Sequence, residues 1–508
     1  MVGVPGRSKG CVTCRKRKKG CDLAKPACGQ CNERGIVCGG YDSDRIFIYQ
    51  ANEKRKKDTP PARETRLVPV KNAPHANISA SRQPRPFSVV LPEALQRSAY
   101  TEKVLDAFIS MYIPHGEYRA SNADSQGFVD VLPLMIIRDR ALQMAVLAIG
   151  TAALGRTTED PNLNCQASTL YGKALTETAV ALRDPIRANS EAMMLVPRTM
   201  ALFEILFGAD KSVDQATSWL SHAIGEMALI ISRGPASFSK DDAAHSLFVN
   251  ARFRLLISAV RTRKATILNT PEWKTLPWGS IPKTANDTLC DIFCGVPELM
   301  EAMELIVSGT LSPKREERLR TAIITKAWAL HLQLQDWIVT NRAEVYTPEI
   351  LDSMVPLTFP SLEIACQTVR YWVIALLIYS NLDFAANVPE TPTSWTTTHP
   401  DRPHPRMFAR LLARSASYLF QERHGIMGAT AMSFPLGMTL FYMSRNRAAD
   451  GPYLGMIMKA WNDPNLPSAI RDFLASLKQG QKMPPLPPKV PVQVNQVYRQ
   501  DPTVQTAL

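Results

Sequence analysis

The opening residues lack an apolar run: MVGVPGRSKG is basic and contains glycine, so no secretory leader is expected there. The chain also lacks a long hydrophobic stretch. The most apolar segment, Tyr371 to Leu382 (YWVIALLIYSNL), falls short of the about 20 residues a bilayer span needs. The expectation is a soluble protein with that segment as its central buried helix. Neither the phosphate-cradling G-x-x-x-x-G-K-[ST] loop nor the H-E-x-x-H zinc-protease helix occurs. The eight histidines are scattered, and His399 and His404 sit in a proline-rich loop with no neighbouring ligands. Strand-like alternation is scarce, and no long acidic-aromatic segment is visible. These gaps argue against a membrane protein, a secreted scaffold and an enzyme.

What the chain has is a run of six cysteines, CVTCRKRKKGCDLAKPACGQCNERGIVC, at Cys11, Cys14, Cys21, Cys28, Cys31 and Cys38. The half-motif C-x2-C-x6-C occurs twice. Apolar residues in the run are few and small, and segments below about 40 residues rarely hold themselves together by burial alone. In a reducing compartment zinc is the expected staple rather than disulfides. Zinc takes four tetrahedral ligands. Six thiolates serve one ion with two spare, or two ions if two thiolates bridge, and the doubled half-motif favours the second solution. Two Zn²⁺ and six thiolates leave a charge of minus two beside Arg15, Lys16, Arg17, Lys18 and Lys19, and neighbouring cations favour the thiolate.

These residues resemble the fungal zinc binuclear cluster, the Zn2Cys6 DNA-binding domain. The resemblance covers residues 8–45 and includes the basic run, Asp22 after the third cysteine, and Lys25-Pro26 before the fourth. It implies a small domain of two short helices holding two zinc ions. The first and fourth cysteines, here Cys11 and Cys28, would bridge. One ion would take Cys11, Cys14, Cys21 and Cys28; the other would take Cys28, Cys31, Cys38 and Cys11. Pro26 matches a loop proline that is often cis. The resemblance also implies that the first helix ends in the major groove, where Arg17 and Lys18 read a CGG triplet. Guanine O6 and N7 suit such side chains. Arg15, Lys16 and Lys19 would grip phosphates, which set register without reading sequence. Gly20 departs from the family's usual basic residue.

Charge placement agrees. Residues 1–92 hold 19 Lys or Arg against 7 Asp or Glu, whereas the remainder holds 40 against 39. A polycationic end on a balanced body suits a nucleic-acid-binding head. Ile46 to Tyr49 reads as a short strand or arm. Lys54 to Lys57 is a second basic run, read as an ordinary linker, an import signal or a phosphate-tracking arm. Residues 46–92 form a basic, proline-rich disordered linker. No sustained heptads follow the cluster, so binding as a monomer and dimerisation through the large domain both stay open.

From 93 to 479 helix-period segments dominate. Val104, Leu105, Phe108, Ile109 and Tyr112 share a face that Pro114 ends. Leu132 to Leu154 is apolar with a basic break at Arg138 and Arg140. Ser312-Pro313 marks the start of a long helix. Further helices are expected near 165–182, 191–207, 214–233, 241–262, 286–308, 361–385, 406–422, 430–445 and 467–478. The reading is a large all-α regulatory domain. Position, texture and Phe108-Ile109-Ser110-Met111-Tyr112-Ile113-Pro114 resemble the fungal-specific transcription factor domain. That resemblance implies a region that restrains, senses or recruits co-regulators, often for a metabolic or secondary-metabolite pathway. Cys290 and Cys294 share a helix face without a completing ligand and read as core thiols. The tail, 480–508, is proline-rich and disordered, with Pro484, Pro487 and Lys489 in a PPII-ligand pattern. Taken together, the expectation is a nuclear, zinc-dependent transcription factor. Its partners would be double-stranded DNA, co-regulators and, if it dimerises, a second copy, with no membrane.

Overall fold

The computed structural model describes residues 11–38 (apart from 23, 25 and 26), 93–114, 126–208, 215–388 and 401–475 (apart from 446, 465, 467–469 and 474). The expected Ile46–Tyr49 arm, the Lys54–Lys57 run, most of the linker, His399 and the 480–508 tail lie outside the described residues. So do Lys25 and Pro26. The chain divides into two compact units, Met1–Phe87 and Ser88–Leu508.

The smaller unit contains two short helices, α1 (Val12–Lys16) and α2 (Gly29–Asn32). Its core is sulfur. Cys11, Cys14, Cys28 and Cys31 are buried, and Cys21 and Cys38 pack against them. Ile36 and Val37 remain in solvent, Val37 at 90% exposure. With so little hydrocarbon buried, the hydrophobic effect contributes almost nothing here.

The larger unit is helical, with no strand among the described residues. α3 (Glu93–Tyr112) buries Val104, Phe108 and Tyr112 at a helical period of four. α4 (Gln126–Met135) and α5 (Arg140–Thr157) are split by the turn at the expected basic break. Asp139 caps α5 there, accepting from Ala141 N at 2.7 Å, and also takes the Arg187 guanidinium. α6 (Pro161–Ala181) lays Ala167, Ala174 and Ala181 inward on one stripe. α7 (Pro185–Ala188) is one turn, and α8 (Glu191–Phe207), capped by Ser190, is buried on nearly all sides. α9 (Gln215–Arg233), α10 (Asp242–Thr262) and α11 (Pro271–Thr275) follow.

The span 286–308, expected as one helix, is two. α12 (Ala285–Phe293) starts on a Thr284/Asp287 capping box, and α13 (Val296–Val307) restarts after Gly295 with Pro297 in its first turn. A side chain at 295 would press within 2.9 Å of Leu330 Cδ2, so the break is also a close approach. α14 (Pro313–Thr340) begins at Ser312-Pro313, although the Ser312 hydroxyl makes no capping bond. α15 (Leu362–Ala385) contains the Tyr371–Leu382 segment and packs against α14, α16 (Pro405–Leu419) and α17 (Gly425–Met443). His404, expected as loop surface, caps α16 by accepting from Arg406 N at 3.1 Å.

α18 (Arg447–Trp461) was not among the expected helices, and it contains Gly451, Pro452 and Gly455, all unfavourable inside a helix. Tertiary contacts hold it. Asp450, fully buried, accepts from Arg406 Nε at 3.2 Å and Arg410 Nε at 3.3 Å, both on α16. The 467–478 helix falls partly outside the described residues. Two segments, Leu362–Ala385 and Glu422–Met443, are long and apolar enough to cross a membrane, but 78% and 67% of their apolar windows are buried within the unit. That burial accounts for them as core helices.

Candidate metal centre and nucleic-acid interface

The doubled half-motif folds twice in the same way. In the first half, Lys19 N donates to Cys14 O at 3.1 Å, closing α1. In the second half, Ile36 N donates to Cys31 O at 3.1 Å. Each closure needs a left-handed residue just before it. These are Lys18 (φ 52°) and Gly35 (φ 61°). The pair is separated by the same interval as Cys11 and Cys28, Cys14 and Cys31, and Cys21 and Cys38. Glycine adopts this conformation freely, whereas a lysine gives up about 1 kcal/mol.

Two cross-links join the halves. The Asp22 carboxylate accepts the Gly29 N–H with both oxygens, at 3.1 and 2.9 Å, anchoring the start of α2. A Cβ at 29 would fall 2.7 Å from Asp22 Oδ2, so any larger residue there would push the carboxylate from its present position. Thr13 Oγ1 donates to Val37 O at 3.0 Å, tying α1 to the segment before Cys38. Sequence reasoning matched Asp22 to a pattern but assigned it no work. It also missed Gly29 and the strain at Lys18. The only available signal was the positional equivalence of Lys18 and Gly35 in the repeat.

All ten cysteines are unbridged. The six of the head form two overlapping quartets, Cys11/Cys14/Cys21/Cys28 and Cys11/Cys28/Cys31/Cys38, with the sulfurs of each within 4.8 Å of one another. Cys11 and Cys28 belong to both. Cys11 Sγ lies 3.6 Å from Cys28 Sγ and 3.8 Å from Cys31 Sγ, and Cys14 Sγ lies 3.6 Å from Cys28 Sγ. A Zn–S bond of about 2.3 Å sets a tetrahedral edge of about 3.8 Å, so these spacings fit zinc and are far beyond a disulfide. Backbone N–H groups point at sulfur as well: Cys14 N donates to Cys11 Sγ at 3.3 Å and Cys11 N to Cys21 Sγ at 3.4 Å. Burial pushes the Cys14, Cys28 and Cys31 thiols up to about 12. Such thiols stay protonated at neutral pH unless a cation joins them, which is the behaviour expected of a metal-coupled fold.

Arg15 and Lys16 lie on α1, and the Arg15 side chain is outside the described residues. Lys16, Lys18 and Lys19 are exposed and Arg17 is half-buried. None of these four makes an ion pair among the described residues. The turn after α1 is therefore a compact block of unneutralised charge next to the sulfur core.

The remaining cysteines do not extend the site. Cys290, Cys294 and Cys366 are buried in the larger unit, and Cys165 is exposed. Burial pushes Cys290 up to about 12 and Cys366 up to about 11. No third ligand joins Cys290 and Cys294 among the described residues.

Residues 9–45 match the fungal Zn(2)-Cys(6) binuclear cluster domain, a domain that binds two zinc ions. Residues 96–407 match the fungal specific transcription factor domain. A stretch of 40 residues is 52% identical to "Arginine metabolism regulation protein II" of Saccharomyces cerevisiae, covering 7% of this chain and 4% of that protein. No solved structure matches the chain.

Proposed function

Because this chain belongs to the fungal-specific transcription factor family and carries a two-zinc DNA-binding cluster, we propose that it reads CGG-type triplets in the major groove and regulates genes transcribed by RNA polymerase II. The observation that carries this reading is the adjacency of the two sulfur quartets to the exposed turn Lys16–Lys19. Zinc, when bound, supplies the cross-link that hydrocarbon does not. The six cysteines would hold it, Cys11 and Cys28 being the two common to both quartets. Lys18 and Arg17 then present their cationic ends to guanine O6 and N7, while Arg15, Lys16 and Lys19 hold phosphates. The left-handed backbone at Lys18 supports its part in this division. Strain of this kind tends to persist where a side chain serves a function. Residues 8–45 form the DNA-binding domain, 46–92 a tether, 93–479 the regulatory domain and 480–508 a tail. The protein acts in the nucleus, and co-regulators meet it on the helical domain.

Gel-shift titrations of the zinc-loaded chain test the reading. A duplex carrying a CGG triplet should bind more tightly than a scrambled duplex. Lys18→Ala should shrink that preference. Lys19→Ala should weaken both duplexes alike and flatten the log K against log salt slope by about 0.9. Equal binding of both duplexes by the wild-type chain would remove the sequence-reading claim.

A further inference from the structure

In the larger unit, α8, α9, α10, α17 and α18 surround a partly open cavity of about 650 Å³. Its described lining is mostly apolar, with aromatic, methionine and leucine side chains prominent. The charged groups are all of one kind: Arg198, Arg254, Arg261, Arg370 and Arg447, with no Asp, Glu, Lys or His. We propose that this cavity binds an amphipathic organic anion, a single acidic head on a flat or branched apolar body.

Arg198 and Arg254 lie on the adjacent helices α8 and α10. Glu226 chelates Arg254, with Arg254 Nε donating to Oε2 at 3.2 Å and Nη2 donating to Oε1. Arg198 has no carboxylate of its own among the described residues. It lies 4.0 Å from the centroid of the Phe128 ring, with Tyr112 beside it. Burial first, and the Arg254 charge second, hold Arg198 down to about 10, although it remains cationic at neutral pH. Glu226, buried, is thus taken by the half-buried Arg254, and the positive charge of buried Arg198 is left in a low-dielectric wall without a carboxylate partner among the described residues. Leaving a buried charge uncompensated is expensive, and an acidic headgroup entering the cavity would compensate it through the bidentate geometry guanidinium offers. Asn250 Oδ1, on the same lining, is buried without a hydrogen-bond partner. It would accept from a hydroxyl or N–H on the ligand. The apolar remainder of the wall suits a hydrocarbon or aromatic body, and the volume lies within the range of small-molecule sites.

This inference stands apart from the DNA reading, because its test contains no DNA. The full-length, zinc-loaded chain is titrated with 1-anilinonaphthalene-8-sulfonate, followed by fluorescence, and in parallel with uncharged N-phenyl-1-naphthylamine. The sulfonate should saturate one site per chain and bind at least about tenfold more tightly than the neutral probe. Arg198→Met removes the cation but keeps an apolar stem. It should weaken the sulfonate by about tenfold or more, leaving the neutral probe and the melting temperature unchanged. Ala431→Trp, on the α17 side of the lining, should fill the space and abolish binding of both. Equal affinity of the wild type for the two probes overturns the proposal. So does an Arg198→Met chain that binds the sulfonate undiminished. If Arg198→Met does not fold, undiminished sulfonate binding by Ala431→Trp overturns the cavity assignment on its own.

Discussion

The smaller unit buries four cysteines and leaves Val37 in water, whereas the larger unit buries whole helices such as α8 and α15. One is held by coordination chemistry and the other by hydrocarbon packing with a few buried ion pairs. Their sensitivities should therefore be opposite. The smaller unit should answer to chelators and to thiol loss but tolerate changes of apolar residues. The larger should answer to cavities and stranded charges but be indifferent to metal.

The largest effect expected is from Cys28→Ala. Losing a sulfur shared by both quartets removes much of a metal-binding free energy of about 10–16 kcal/mol. Duplex binding should vanish and bound zinc should fall below two per chain by elemental analysis, while the thermal transition of the helical unit stays in place. Retained binding at wild-type strength would refute the shared-sulfur assignment. Next comes Asp450→Ala, which takes from buried Arg406 the carboxylate it shares with Arg410, while Arg410 keeps Asp352. It should destabilise the helical unit by about 3–5 kcal/mol in urea unfolding and leave duplex binding intact. If duplex binding falls in step with unfolding, the two units are not independent and the contrast fails.

Smaller effects sharpen the picture within the head. Asp22→Ala removes the acceptor of the Gly29 N–H and should reduce stability by about 1–2 kcal/mol, read as faster zinc loss to a competing chelator. An unchanged loss rate would mean that the carboxylate bond carries no weight. Smallest is Lys18→Gly. It relieves the left-handed lysine and should stabilise the zinc-loaded head by up to about 1 kcal/mol while lowering CGG preference. Opposite signs in stability and recognition would mark a residue kept for what its side chain does. A loss of stability would show that the backbone at 18 is not strained.

Much of the larger unit was legible as helices, because buried faces impose a period. The 191–207 expectation coincides with α8, and the Tyr371–Leu382 run lies inside buried α15. The misses differ in cause. α18 survives its glycines and proline through Asp450, whose partners lie some forty residues upstream on α16. The break before α13 has a local cause in Pro297, which has no N–H to continue the ladder, while the approach of Leu330 from α14 to Gly295 is tertiary. In the head the cysteine grouping was legible, but the Asp22–Gly29 contact was not, since a carboxylate carries no mark of the N–H it will meet.

Cysteine spacing alone was enough to call for paired metal ions beside a cationic turn, because coordination geometry is short-ranged and its ligands lie within one brief stretch of chain. The cavity, the pairing of Glu226 with Arg254 beside Arg198 and the persistence of α18 came into being only when distant helices packed. Each depends on which side chains meet across the interior, and no local pattern records such meetings.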